Sequence, residues 1–103
     1  MGGANMPQNI LESLKKVEHP AIAASLLELG MLRDIDVAPD GKATLTMVLP
    51  FPNIPASVRD TMLNSLAAAA QSAGGELAKV ELAVMKQEER KNFLAIEQQN
   101  WRG

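Results

Sequence analysis

The heptapeptide Leu49-Pro50-Phe51-Pro52-Asn53-Ile54-Pro55 constrains the fold more than any other part of this chain. Proline has no backbone N–H and a fixed φ, so prolines at 50, 52 and 55 end whatever regular element reaches them. The hydrophobic period differs on the two sides of this junction. Before it, Ile35 and Val37 alternate with Asp34 and Asp36, Pro39-Asp40-Gly41 supplies turn chemistry, and Ala43, Leu45, Met47 and Leu49 alternate with Thr44, Thr46 and Val48. That is a β-hairpin with one buried and one polar face. After it, Val58, Met62 and Leu66 form one helical stripe with Leu63, Ala67 and Ala70 beside it, predicting a helix over 55–73. Pro55 suits the first turn of that helix, where an N–H would have no partner. Ser57 with Asp60 is a candidate cap for its start, and the alanine run 67–70 reads as helix propensity and close packing.

Gly74-Gly75 stops the helix; the lysine and glycine spacing of a phosphate-binding loop is missing around it. A third strand follows, with Val80, Leu82 and Val84 expected to face inward and Lys79 and Glu81 outward. Upstream, residues 1–7 read as a flexible leader. Ile10, Leu11, Leu14 and Val17 then predict a helix over 8–17, with Asn9 and Glu12 as its candidate cap and Pro20 ending the run. The apolar segment 21–29 predicts a short helix, followed by a bend at Gly30. A charged helix over 87–99 closes the chain. The order is α-β-β-α-β plus a C-terminal helix. Three strands with one apolar face need covering on one side, so the expected fold is a two-layer α+β domain over 8–86, followed by a helical tail over 87–103. Strand order stays open, the third strand being either parallel through a crossover or antiparallel to the first.

Composition narrows the function. A chain of 103 residues builds one core. A formal charge of -2 and 3% aromatic residues supply neither a basic stripe nor stacking platforms, which argues against nucleic acid as a partner. No apolar run approaches the ~20 residues that span a bilayer, and the amino terminus lacks a secretory pattern, so no membrane role and a cytoplasmic location are expected. With zero cysteines the chain has no disulfide, thiolate ligand or cysteine nucleophile. His19 alone cannot build a closed zinc site. Glu28 and Asp34 read as solvated or ion-paired carboxylates, with weak metal binding as the alternative. No Ser/His/Asp signature appears, and no enzyme, metal or cofactor is expected.

The order of these elements, with Glu28-Leu29-Gly30-Met31, Arg33-Asp34-Ile35 and the proline-bracketed junction, resembles the iron-sulfur cluster assembly domain family. That family takes in the cytosolic iron-sulfur assembly component, the Suf-associated protein and the amino-terminal domain of Mrp-type carriers. The resemblance runs from about Ile10 to Met85. It equates Glu28-Leu29-Gly30 with the family's Asp-Leu-Gly, His19-Pro20-Ala21 with its Asp-Pro-Glu, and the junction with its Thr-Thr-Pro-Gly-Cys-Pro. Pro52 and Pro55 keep their places, Asn53 replaces glycine, and Ile54 stands in the cysteine slot. In relatives, a thiol at a helix start is shifted toward thiolate by unpaired N–H groups and the helix dipole. Isoleucine offers no such chemistry and reads first as a packing residue, otherwise as a partner contact. The resemblance therefore implies a non-catalytic accessory or adaptor in iron-sulfur cluster assembly, partnered by assembly or client proteins and unable to ligate a cluster through cysteines of its own. The alternatives are a repurposed interaction module, or the front of a longer carrier ATPase.

The tail adds Phe93, Leu94, Ile96 and Trp101 to a charged helix. A helix of this length is marginal alone, so it must dock. Val48, Ala83 and Met85 on the otherwise polar sheet face offer a landing site. The other outcome is a partner or homodimer contact, with Phe93 and Trp101 as its candidates.

Overall fold

The computed structural model describes residues 6–100. In chain order its elements are α1 (Met6–Lys15), β1 (Leu32–Val37), β2 (Lys42–Leu49), α2 (Ala56–Ser72), β3 (Glu76–Val84) and α3 (Gln87–Asn100). This is the α+β order expected from the sequence. The open question of strand order resolves as β1-β2-β3, with β1 antiparallel and β3 parallel to the central β2.

The hairpin turn forms where turn chemistry placed it. Gly41 takes φ 92, its N–H donates to the Ala38 carbonyl, and Ala38 and Lys42 close the ladder behind it. β1 and β3 each carry one surplus residue. Leu32 pairs with Met47 and Val37 with Ala43, so five steps along β1 span four along β2. Asp34, at φ 54, lies within that irregular stretch. In a regular strand, Leu32 and Val37 would point to opposite faces; the bulge turns both toward the core. A second irregularity at Ala78 does the same for Leu77 and Val80, which both pack on the core.

Ile10 and Leu14 of α1 and Met62, Leu66 and Ala70 of α2 join Ala43, Leu45 and Met47 in one buried cluster. Among the described residues no buried side-chain polar atom lacks a partner. At the end of α2, Gly75 donates to the Ala70 carbonyl, and the chain passes close to its neighbours there. A Cβ on Gly75 would overlap Ile10 Cδ1 and the Gly41 carbonyl oxygen.

Several expectations are corrected. Segment 21–29 is not a helix. Ile22, Ala24 and Leu26 are buried while Ala23 and Leu27 are exposed, a period of two that an almost wholly apolar run conceals. His19 N–H donates to the Ala24 carbonyl and Leu26 N–H to the Val17 carbonyl, and Glu18 bridges Ser25 antiparallel. These cross-strand bonds satisfy backbone groups that a helix would have used. Helix α1 starts at Met6, which places Asn9 inside it; Glu12 instead accepts from Gln8 Nε2 at 3.0 Å. Ser57 and Asp60 do not cap α2, whose N-cap is Pro55 with no side-chain cap bond; Asp60 meets Arg59 at 3.4 Å. In β3, Val80, Leu82 and Val84 lie opposite Leu45, Met47 and Leu49 on the core face as expected, but Leu82 and Val84 are left 50% and 45% exposed at this edge of the sheet.

α3 docks on its own domain. Phe93 is 3% exposed and shares the buried cluster with Val48 and Met85, while Ala83 is half-buried. Trp101 lies outside the described residues.

Candidate functional site

Two loops and two helices meet at a groove of about 330 Å³. The loop after α1 brings His19, Pro20 and Ala21. The junction after β2 brings Pro50, Phe51, Ile54 and Pro55. Met31, Val58 and Met62 line its interior side, and Phe93 and Glu97 of α3 complete it. The cross-strand bonds of the 17–26 loop explain why His19-Pro20 reaches this place, since they fold the chain back beside α1. The three junction prolines explain the second half: they stop β2, forbid a helix until residue 55, and leave Phe51, Pro52 and Asn53 exposed on a turn.

One arginine fixes this turn. Arg90 Nε donates to the Pro50 carbonyl at 2.8 Å and Nη2 to the Met85 carbonyl at 3.4 Å, and the guanidinium lies 5.2 Å from the centre of the Phe51 ring. A charged donor on a backbone carbonyl forms a stronger hydrogen bond than a neutral one. The ring contact adds about 0.5–1 kcal/mol at a site this open. On the opposite lip, Ala21 N–H donates to His19 Nδ1 at 3.0 Å, which commits that nitrogen as an acceptor and sets the ring against its own backbone.

Of the positions that the resemblance singles out, the structure brings His19, Pro20, Ile54 and Pro55 together. Pro52 and Asn53 sit on the adjoining turn, outside the lining. Glu28 is elsewhere. It forms a reciprocal box with Ser25, Ser25 N–H donating to Glu28 Oε1 at 2.9 Å and Glu28 N–H to Ser25 Oγ at 3.0 Å. The Ser25 backbone bond first, then its hydroxyl, hold the Glu28 carboxyl below its ordinary range, with slight burial opposing. This carboxylate borders a separate hollow with Gly30, Glu89, Asn92 and Ile96. Of the two partner-contact candidates, Phe93 is covered by its own domain and forms part of the groove wall.

Chemically, the groove is an apolar recess with one imidazole and one carboxylate on its lining. Ile54 is half-buried against the core where the resemblance calls for a thiol. Among the described residues no three His, Asp or Glu side chains are grouped to hold a metal ion, and no helix is long and apolar enough to cross a membrane. Sequence reasoning missed Phe51, Met31, Glu97 and the Arg90 clamp. Met62 and Phe93 were visible as apolar residues of their helices, but no periodicity links them to a loop forty residues away.

Residues 7–82 match the family described as "Iron-sulfur cluster assembly protein". A 50-residue stretch is 38% identical to the "Fe-S protein maturation auxiliary factor" of Porphyromonas gingivalis, covering 48% of this chain and 48% of that protein. The match therefore spans about half the length of that relative. The crystal structure of a domain of unknown function, DUF59, from Bacillus anthracis superposes with a TM-score of 0.53 at 17% identity, over 87% of this chain and 90% of that one. That likeness is one of fold.

Proposed function

Because this chain belongs to the iron-sulfur cluster assembly protein family, we propose that it serves Fe-S protein maturation as a non-catalytic accessory, binding an assembly or client protein at the groove without holding the cluster itself. One observation carries the reading: His19, Pro20, Ile54 and Pro55, which the resemblance aligns with the family's Asp-Pro-Glu and Cys-Pro elements, converge on one recess, with Ile54 where that resemblance expects the cysteine. Clusters rest on thiolates, and this chain has no cysteine to supply one. An apolar recess between rigid elements is instead suited to accept an apolar side chain from a partner. The name of the Porphyromonas gingivalis relative, an auxiliary factor, agrees with a role beside the chemistry. We place that role in the cytoplasm.

The test is an anaerobic pull-down from native extract with the full chain and with Ile54→Asp, after checking that both melt alike. Enrichment of cluster scaffold, carrier or iron-sulfur client proteins by the native chain, lost with the variant, is the expected result. Reproducible capture of unrelated proteins alone would overturn it and leave a repurposed binding module. Anaerobic incubation with iron and sulfide is expected to leave the protein colourless. A stable chromophore with matching iron content would refute the non-ligating part of the proposal.

A further inference from the structure

We propose that the free edge of β3 is a homodimer contact, in which two copies of this chain pair antiparallel about Leu82 and join their sheets into one of six strands. Among the described residues β3 pairs with β2 alone. In a parallel pair, alternate residues turn both N–H and C=O toward the neighbour. Met85 N–H donates to the Leu49 carbonyl, so counting back along the regular stretch Ala83 and Glu81 also face β2. Val80, Leu82 and Val84 therefore direct their N–H and C=O groups away from the sheet. The same three residues sit opposite Leu45, Met47 and Leu49 on the apolar face, yet Leu82 is 50% and Val84 45% exposed. Open backbone groups and uncovered apolar side chains thus coincide on one short stretch, the combination that invites strand addition.

A second copy satisfies this stretch because it is self-complementary. With the two-fold axis at Leu82, each Leu82 faces its counterpart, each Val80 faces a Val84, and every outward N–H and C=O of the three residues gains a partner. On the polar face, Glu81 then lies opposite Ala83. Moving the axis to Glu81 sets two carboxylates directly opposite each other, which is repulsive. Moving it to Val80 sets Val84 against Glu76, whose N–H is already given to the Gly41 carbonyl. Moving it to Ala83 sets Val80 against Lys86, whose N–H is already given to Glu89 Oε1, so charge and hydrogen bonding favour the Leu82 register. The other edge is protected: β1 exposes Arg33, Asp34 and Asp36 and is bent by its bulge. A contact of this length belongs to the small, reversible class of interfaces.

Sedimentation velocity over a concentration series, paired with amide exchange, tests the proposal. The native chain is expected to shift from monomer toward twice its mass as concentration rises, with slowed exchange at Val80, Leu82 and Val84. Leu82→Lys should stay monomeric throughout, and Leu94→Lys, which places the same charge at a 38% exposed site on α3, should dimerise like the native chain. A native chain that remains monomeric at all concentrations overturns the proposal. So does a dimer that survives Leu82→Lys, or one in which those three amides exchange equally fast at every concentration.

Discussion

Gly75 occupies a point where three segments touch, and any side chain there collides with α1 and the hairpin turn together. The Ile10 side chain can move aside, but the Gly41 carbonyl belongs to a turn with its own hydrogen bonds. Gly75→Ala is therefore expected to cost about 1–3 kcal/mol, as overpacking does, measured by urea denaturation. Glu28 shows the electrostatic side of residue-scale design. Its folded pKa lies below its unfolded value, so the stability it contributes is present above the unfolded pKa and is lost as pH falls through the folded one. NMR titration should find Glu28 protonating at lower pH than in the unfolded chain. Ser25→Ala should raise that midpoint only part of the way, because the Ser25 backbone N–H remains.

At the scale of elements, the hairpin and its turn, the alanine-rich helix and the order of strands and helices were legible, since each rests on local spacing or local turn chemistry. What was not legible rests on pairing. The 21–29 run hid its period because nearly every residue in it is apolar. Period two assigned Leu82 to the core face correctly but could not reveal that, among the described residues, no strand lies beyond it. The bulges were invisible for a related reason: Leu32 and Ile35, or Leu77 and Val80, look out of phase until a neighbouring strand shows that a residue has been skipped. The bulge in β1 yields a test. Removing Asp34 leaves Leu32, Ile35 and Val37 in regular alternation opposite Met47, Leu45 and Ala43. This deletion is expected to preserve the cooperative thermal transition, whereas deleting Ile35 takes an apolar residue off the core face and should lower Tm. Of the site, the resemblance supplied the four converging motif positions, while the walls contributed by α2 and α3 are tertiary facts.

For the molecule as a whole, α3 acts as a strap. The Asn100 carbonyl accepts from Ala23 N–H at 2.7 Å, Glu89 meets Arg33 at 3.6 Å, and Arg90 holds the Pro50 and Met85 carbonyls. The ion pair is exposed and contributes little; the burial of Phe93 contributes most. Phe93→Ala is expected to cost about 3–5 kcal/mol, and a chain ending at Lys86 should melt at a lower temperature, both read by thermal and urea denaturation. An unchanged melting curve for the shortened chain would show that the strap carries no stability. One wall of the groove belongs to this strap, since Phe93 and Glu97 leave with the helix. Occupancy of the recess and attachment of the helix are consequently linked functions in the thermodynamic sense. A guest that fills the groove must hold α3 down, and by reciprocity any event that lifts α3 must weaken the guest by the same free energy.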